Sequence, residues 1–266
     1  MTLNYYENNV PHLIEEYYQF TLSEKVIPFN STIIPIGLTH ITHAFYGNHN
    51  GMLKSDQKPV TGTILSGQFV RSYEFFSETK ANYFGISFHP TALYKILNTD
   101  ISKIKNKHVL LSKFHPEFDT KIDKVFEDYT TPEKMAESLN VFFSNIELTT
   151  NENTKTIDNV INLIKSKEGL LNIIDILDQI EMSQKTLENQ FKKIVGLTPG
   201  KYIKLYRFSN LMRKYESQEI DFKKLIFMFN YYDRSHFARD FKLFMNETPK
   251  SYFKNDYPLI KAILKK

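Results

Sequence analysis

Residues 183–204 read SQKTLENQFKKIVGLTPGKYIK, and residues 233–254 read DRSHFARDFKLFMNETPKSYFK. Shifted by 50 residues, the two stretches overlay. Leu187, Phe191 and Ile194 fall on Phe237, Phe241 and Phe244, and Lys192 falls on Lys242. Thr198-Pro199 falls on Thr248-Pro249, Tyr202 on Tyr252 and Lys204 on Lys254. A repeat of this kind is one supersecondary unit used twice. Within each copy the apolar residues stand at i, i+4 and i+7, one stripe of a helix. Lys185, Asn189 and Lys192 then lie on the opposite face of the first helix, and Ser235, Arg239 and Lys242 on that of the second. Ser183 and Asp233 are placed as N-caps.

Either helix alone reads as an amphipathic core helix with a solvated polar face. The segment in front of each changes that reading. Ile173, Ile176, Leu177 and Ile180 form a stripe, and Phe222, Leu225, Ile226 and Phe229 repeat it with an offset of 49. A short turn follows each, Glu181-Met182 and then Asn230-Tyr231-Tyr232. Helix, tight turn and a second helix with a basic, amide-bearing outer face is the helix-turn-helix device, whose second helix enters the DNA major groove. Between the units, Pro199 opens a helix over 199–215 with Tyr202, Leu205, Tyr206, Ser209 and Met212 as its stripe. Its length of about 25 Å suits a strut between helices in successive grooves about 34 Å apart.

Residues 160–255 resemble the DNA-binding domain of the AraC (arabinose-regulator) family of bacterial transcription factors. The likeness rests on Ser183-x-x-x-Leu187-x-x-x-Phe191-Lys192, Gly196-Leu197-Thr198-Pro199-x-x-Tyr202 and Arg207-Phe208. It continues through Ile226-x-x-x-Asn230-Tyr231, Ser235-x-Phe237-x-Arg239-x-Phe241-Lys242 and Thr248-Pro249-x-x-Tyr252. The family usually carries Gly-Phe at Asn230-Tyr231 and Ala at Ile226. Asn accepts a positive φ, so the turn is expected to survive, while Ile226 is expected to loosen the packing of the second unit. The resemblance implies base contacts from Gln184, Lys185, Glu188 and Asn189 in the first helix and from Arg234, Ser235 and Arg239 in the second. Lys192, Lys201 and Lys242 fall to the phosphates, which position without specifying. Arg207 matches a position tied to packing and ion pairing inside the domain. The expected role is a cytoplasmic, sequence-specific regulator, an activator rather than a repressor. Its expected partners are double-stranded DNA, RNA polymerase, a small-molecule effector and a second copy of the chain.

Composition agrees with this division. Residues 151–266 hold 21 Lys and Arg against 14 Asp and Glu, and residues 1–150 hold 13 against 16. A basic half beside a mildly acidic one suits nucleic-acid binding by the C-terminal half alone. The absence of Cys excludes disulfides, thiolate catalysis and Cys-based zinc sites. The N-terminus has neither a basic nor an apolar region of a signal peptide. No apolar run approaches the roughly 18 residues of a membrane helix, so no membrane partner is expected.

The fold class expected is α+β, with a β-rich domain over 1–150 and an all-α domain over 151–266. Ser31–Ile36, Leu38–Tyr46, Thr63–Val70 and Tyr83–Phe88 read as short strands, with Asn50-Gly51 as a hairpin signal. A small barrel or sandwich follows from them. Ala92, Leu93, Ile96 and Leu97 are helix-spaced, as are Ile122, Val125 and Phe126, and Thr131-Pro132 opens a helix to about Phe143. Residues 147–155, polar and unpatterned, read as the linker, with a helix from about Thr156 to Lys167 after it. The run from Gly85 through Phe88-His89-Pro90 to Ala92-Leu93-Tyr94 and Ile96-Leu97 resembles one sensor-type domain found ahead of these DNA-binding domains. It implies effector binding or dimerisation and names no ligand.

Enzyme motifs are lacking. His40 and His43 stand three apart, so on one strand they point to opposite faces and do not make a cupin metal set with His49 and His89. They read as surface histidines, or as satisfied core ones. No cofactor, catalytic residue or metal site is expected. Phe69, Tyr73, Phe75, Phe76 and Tyr83 read as core, with pocket lining as the alternative. The competing function is a small-molecule-binding barrel whose C-terminal helices serve only dimerisation.

Overall fold

The computed structural model describes residues 1–46, 62–217 and 222–265. Seven strands come first: β1 (Thr2–Tyr6), β2 (Ile14–Leu22), β3 (Phe29–Ile33), β4 (Thr39–Tyr46), β5 (Thr63–Ser66), β6 (Tyr73–Ser77) and β7 (Ala81–Phe88). Helix α1 (Ala92–Leu97), a 3-10 turn (Ile101–Ile104), β8 (His108–Leu110), α2 (Leu111–Phe114), α3 (Pro116–Glu127) and α4 (Pro132–Ser144) follow. The rest is helical: α5 (Glu152–Ser166), α6 (Ile173–Leu177), α7 (Gln184–Val195), α8 (Pro199–Glu216), α9 (Phe222–Met228), α10 (Arg234–Met245), α11 (Pro249–Tyr252) and α12 (Pro258–Leu264). The fold is α+β, as the sequence pattern predicts.

The strands form an antiparallel sheet in the order β1-β2-β7-β4-β5-β8 and a separate β3–β6 pair. Every residue of the interior strand β7 is buried, because both sheet faces are covered. On one face Phe84 stacks on Tyr6, and Phe88 meets Phe143 of α4 edge-on. On the other, Tyr83 joins Phe20, Phe75 and Leu259 in a second apolar cluster. Gly85 lies between these faces with a purpose. A Cβ there would sit 1.9 Å from the Tyr18 ring, which crosses the strand to bond Thr42 Oγ1 at 3.0 Å.

Three differences from the sequence reading have physical causes. Strands β1, β2, β6 and β8 escape it, because β2 and β6 set charged residues among their aromatics while β1 and β8 are only 5 and 3 residues long. The linker ends earlier than residue 155, since α5 starts at Glu152 with a capping box between Asn151 and Thr154. Polar residues there signal a helix start. Helix α8 is buried well beyond its expected stripe, with Ile203, Phe208 and Leu211 also covered, because it lies between both helical units. The Asn50-Gly51 hairpin signal and His49 lie outside the described residues.

One continuous apolar cluster runs from Val10 and Tyr17 through Phe88 and Ile104 to Phe191, Phe241 and Ile260. The two halves of the chain meet through polar clasps as well. Asp158 of α5 accepts from Thr91 Oγ1 at 2.5 Å and from Lys95 Nζ at 2.6 Å. Lys165 of α5 pairs with Glu15 of β2. Ser72, in the β5–β6 connection, donates its amide to Phe244 O at 2.6 Å and its hydroxyl to Met245 O at 2.7 Å. Asn246 Nδ2 returns a bond to Ser72 O at 3.0 Å.

Candidate nucleic-acid interface

The 50-residue duplication extends to the helix ends. Ser183 Oγ accepts from Thr186 N at 3.2 Å, and Asp233 Oδ1 accepts from His236 N at 2.6 Å. These bonds satisfy donors that a helix start leaves open. At the other ends Gly196 (φ 94°) and Asn246 (φ 59°) are left-handed caps, whose amides donate to Lys192 O and Lys242 O. Gly and Asn are the residues that enter this region at least cost. The turn ahead of α10 uses the same property, with Asn230 at φ 57°. Asn thereby replaces the family's Gly without losing the turn.

Burial fixes which face is free. Leu187, Phe191 and Ile194 are buried, as are Phe237, Phe241 and Phe244. Gln184, Lys185, Asn189 and Lys192 are exposed on α7, and Arg234, Ser235, Arg239 and Lys242 on α10. Lys201, in the first turn of α8, is exposed too. Glu188 is half-buried and accepts a bond from Gln184 Nε2 at 2.9 Å, so these two side chains form one i, i+4 unit. Nine of the ten residues expected to face DNA are therefore exposed. The second unit packs despite Ile226, which is buried beside Leu225 and Phe229.

Internal contacts set the pose of α10. Arg207 Nη2 of α8 stands 3.8 Å from Asp240 Oδ2, both nearly buried, and its guanidinium lies 5.1 Å from the Tyr231 ring. A cation over an aromatic face and beside a carboxylate ties the strut, the turn and the second helix together. Gly169 makes the first unit close on α8: a Cβ there would sit 2.8 Å from the Arg207 amide nitrogen, and its φ of 76° also suits glycine. Tyr252 Oη donates to Glu216 Oε1 at 3.0 Å and stacks on Tyr257 at 4.7 Å, joining α11 to the end of α8.

His40 and His43 each have a hydrogen-bond partner, the satisfied alternative of the two readings. His40 Nδ1 stands 3.0 Å from Ser87 Oγ, and His43 Nδ1 stands 2.9 Å from Thr63 Oγ1 and 3.8 Å from Asp123. His40, not His43, lines a cavity between the six-stranded sheet and the β3–β6 pair. Phe69, Tyr73, Phe75 and Tyr83 line it as well, whereas Phe76 points outward and is exposed. Sequence reading missed Glu16, Tyr18, Ser66 and His108, which share that wall, and Leu259 and Ile263 of α12. The even positions of β2 carried the signal, but only once β2 is known as a strand. Among the described residues no group of His, Asp and Glu could hold a metal ion, and no helix is long and apolar enough to cross a membrane.

Residues 176–255 match a family described as a helix-turn-helix domain. Residues 7–110 match one described as a domain of unknown function. In fold the chain is similar to ToxT from Vibrio cholerae in its P21 crystal form, with a TM-score of 0.52 at 14% identity over 90% of this chain and 97% of that one. It is similar also to an apo, singly substituted ToxT from strain SCE256 of the same organism, with a TM-score of 0.50 at 14% identity over 93% of this chain and 98% of that one. No protein with a curated function matches the chain in sequence.

Proposed function

From the AraC-type helix-turn-helix domain that residues 176–255 form, we propose that this DNA-binding transcriptional regulator is a sequence-specific activator whose helices α7 and α10 enter neighbouring major grooves of one duplex. The observation that carries the reading is the duplication itself. Two helices with matched caps, matched buried stripes and matched exposed faces both pack on α8, α7 through Phe191 on Tyr202 and α10 through Phe241 and Phe244 on Phe208. The 18 residues of α8 span about 27 Å, within reach of successive grooves about 34 Å apart. A fold that needed these helices only for packing or dimerisation has no use for two such faces.

In this reading Arg239 offers a guanine edge two parallel donors, and Asn189 matches an adenine edge. Gln184 with Glu188, Lys185, Arg234 and Ser235 complete the base-facing set. Lys192, Lys201 and Lys242 hold phosphates and set the register. Residues 151–266 act as the DNA-binding part, and residues 1–150 as the regulatory and dimerisation part. The latter receives a small-molecule effector, and RNA polymerase is the partner through which bound protein activates. The family and fold point to a regulator rather than an enzyme.

Selection of bound sequences from a random duplex pool tests the proposal. It should return a two-part site whose halves are about one helical turn apart, with affinity falling steeply as salt rises. Recovery of no consensus, or binding indifferent to salt, would overturn it.

A further inference from the structure

We propose that the outer face of α9 docks on the outer face of α6 in a second copy of the chain, so that copies stand head to tail. Helices α6 and α9 are the first helices of the two duplicated units, and with the offset of 49 their residues correspond one to one. Ile176 and Leu225 correspond and are both buried. The outward positions correspond in place and differ in chemistry. On α9 they are Lys223, Lys224, Phe227 and Met228. On α6 and the turn of chain that follows they are Ile174, Asp175, Asp178 and Gln179, and all eight are exposed. Phe227 is 66% exposed and Met228 beside it 48%, which makes a patch rather than one scattered apolar residue. Ile174 is 68% exposed, and Ile173 and Leu177 beside it are only partly buried.

The two faces complement each other. Lysines beside an apolar pair on α9 meet aspartates beside an apolar residue on α6, where exposed Glu181 adds to Asp175 and Asp178. Apolar area at the centre of a contact supplies affinity, and the charges around it set partner and register. The fit therefore does not require either lysine to lack a carboxylate of its own. Like faces pair less well, since lysines would oppose lysines and aspartates would oppose aspartates. A contact between unlike faces does not close on itself and continues from copy to copy. The inference rests on the function proposed above only for where the copies meet. Two units that follow one another along a duplex bring the second unit of one copy beside the first unit of the next when sites stand in direct repeat. Neighbouring sites raise the effective concentration, so a small contact suffices there.

The chain has no cysteine, so single introduced thiols report the contact. Two full-length variants at exposed positions, Gln179→Cys and Met228→Cys, are mixed at high concentration and treated with a short bismaleimide. The mixture should give a crosslinked pair, and neither variant alone should. Adding Ile174→Lys to the Gln179→Cys chain should cut the yield roughly tenfold. Adding Phe227→Lys to that same chain, whose α9 face plays no part in the crosslinked pair, should leave the yield unchanged. A duplex with two selected sites in direct repeat should raise the yield, and the same sites inverted should not. Crosslinking of Met228→Cys alone to the level of the mixture, or equal loss from both lysine substitutions, overturns the proposal. A selected site with no crosslink in the mixture, on the duplex or off it, overturns this inference alone. A crosslink in free solution where no site can be selected supports it and overturns the regulator reading.

Discussion

Arg239 and Lys192 are both exposed and both basic, yet they are assigned different work. Arg239→Ala, measured on a selected site, should cost about 1–3 kcal/mol and relax preference in one half only. Lys192→Ala should weaken all sequences alike and reduce the salt slope by about 1. A uniform loss at Arg239 would move it to the phosphate set. Inside the domain, Asp240→Ala leaves the nearly buried Arg207 beside Tyr231 without its carboxylate. The expected loss is about 3 kcal/mol, read as a lower urea midpoint with an unchanged slope. A midpoint unaltered by the change would show that the cation over Tyr231 suffices. The exposed faces that carry Arg239 and Lys192 were legible in the residues because spacing fixes which side chains share a helix face. The partners of Arg207 were not, since Asp240 and Tyr231 reach it only through packing of α8 on α10.

The helices were the most readable elements, because caps and stripes are local. Ser183→Ala and Asp233→Ala should each cost about 1 kcal/mol of stability, and thermal melting of the two variants checks this. A loss at one site and none at the other would break the equivalence of the units. The strands were less readable. Strands β4, β5 and β7 announce themselves through β-branched and aromatic runs, but β2 mixes Glu15, Glu16 and Gln19 with its aromatics. Those polar residues make sense only once their neighbours are known: Glu15 pairs with Lys165 of α5, and Glu16 receives Ser87 of β7. The cavity lined by β2 was hidden for the same reason. Long-range pairing, which no short window of sequence contains, decides which face of a strand is inside.

Across the whole molecule, the seam between the halves carries a pH dependence. His89 is buried beside Thr91, and burial, with Lys165 and Lys95 adding to it, pushes its pKa down to about 4, against the pull of Glu15 and Asp158. His40 moves to about 4 through burial alone. Unfolded histidine takes its proton near 6.5, so below that the unfolded chain binds more protons. Stability is therefore complete above about 6.5 and declines as pH falls towards about 4. Each group contributes on the order of 3 kcal/mol. Urea midpoints across this range check it, and His89→Asn should flatten part of the slope. A flat profile in the parent protein would exclude both groups. The seam holds one more feature. Gln68 stands against the Gly196 cap of α7, within 3.4 Å of where a Cβ would be, and Ser72 clasps the Asn246 cap of α10. Phe69, between them, faces the cavity. A single short span thus behaves as a crossbar bolted to two levers. If the two helices enter neighbouring grooves as proposed, lengthening it by one residue would skew the angle between them, and a selected duplex site would cease to fit although no exposed side chain of either helix had been changed.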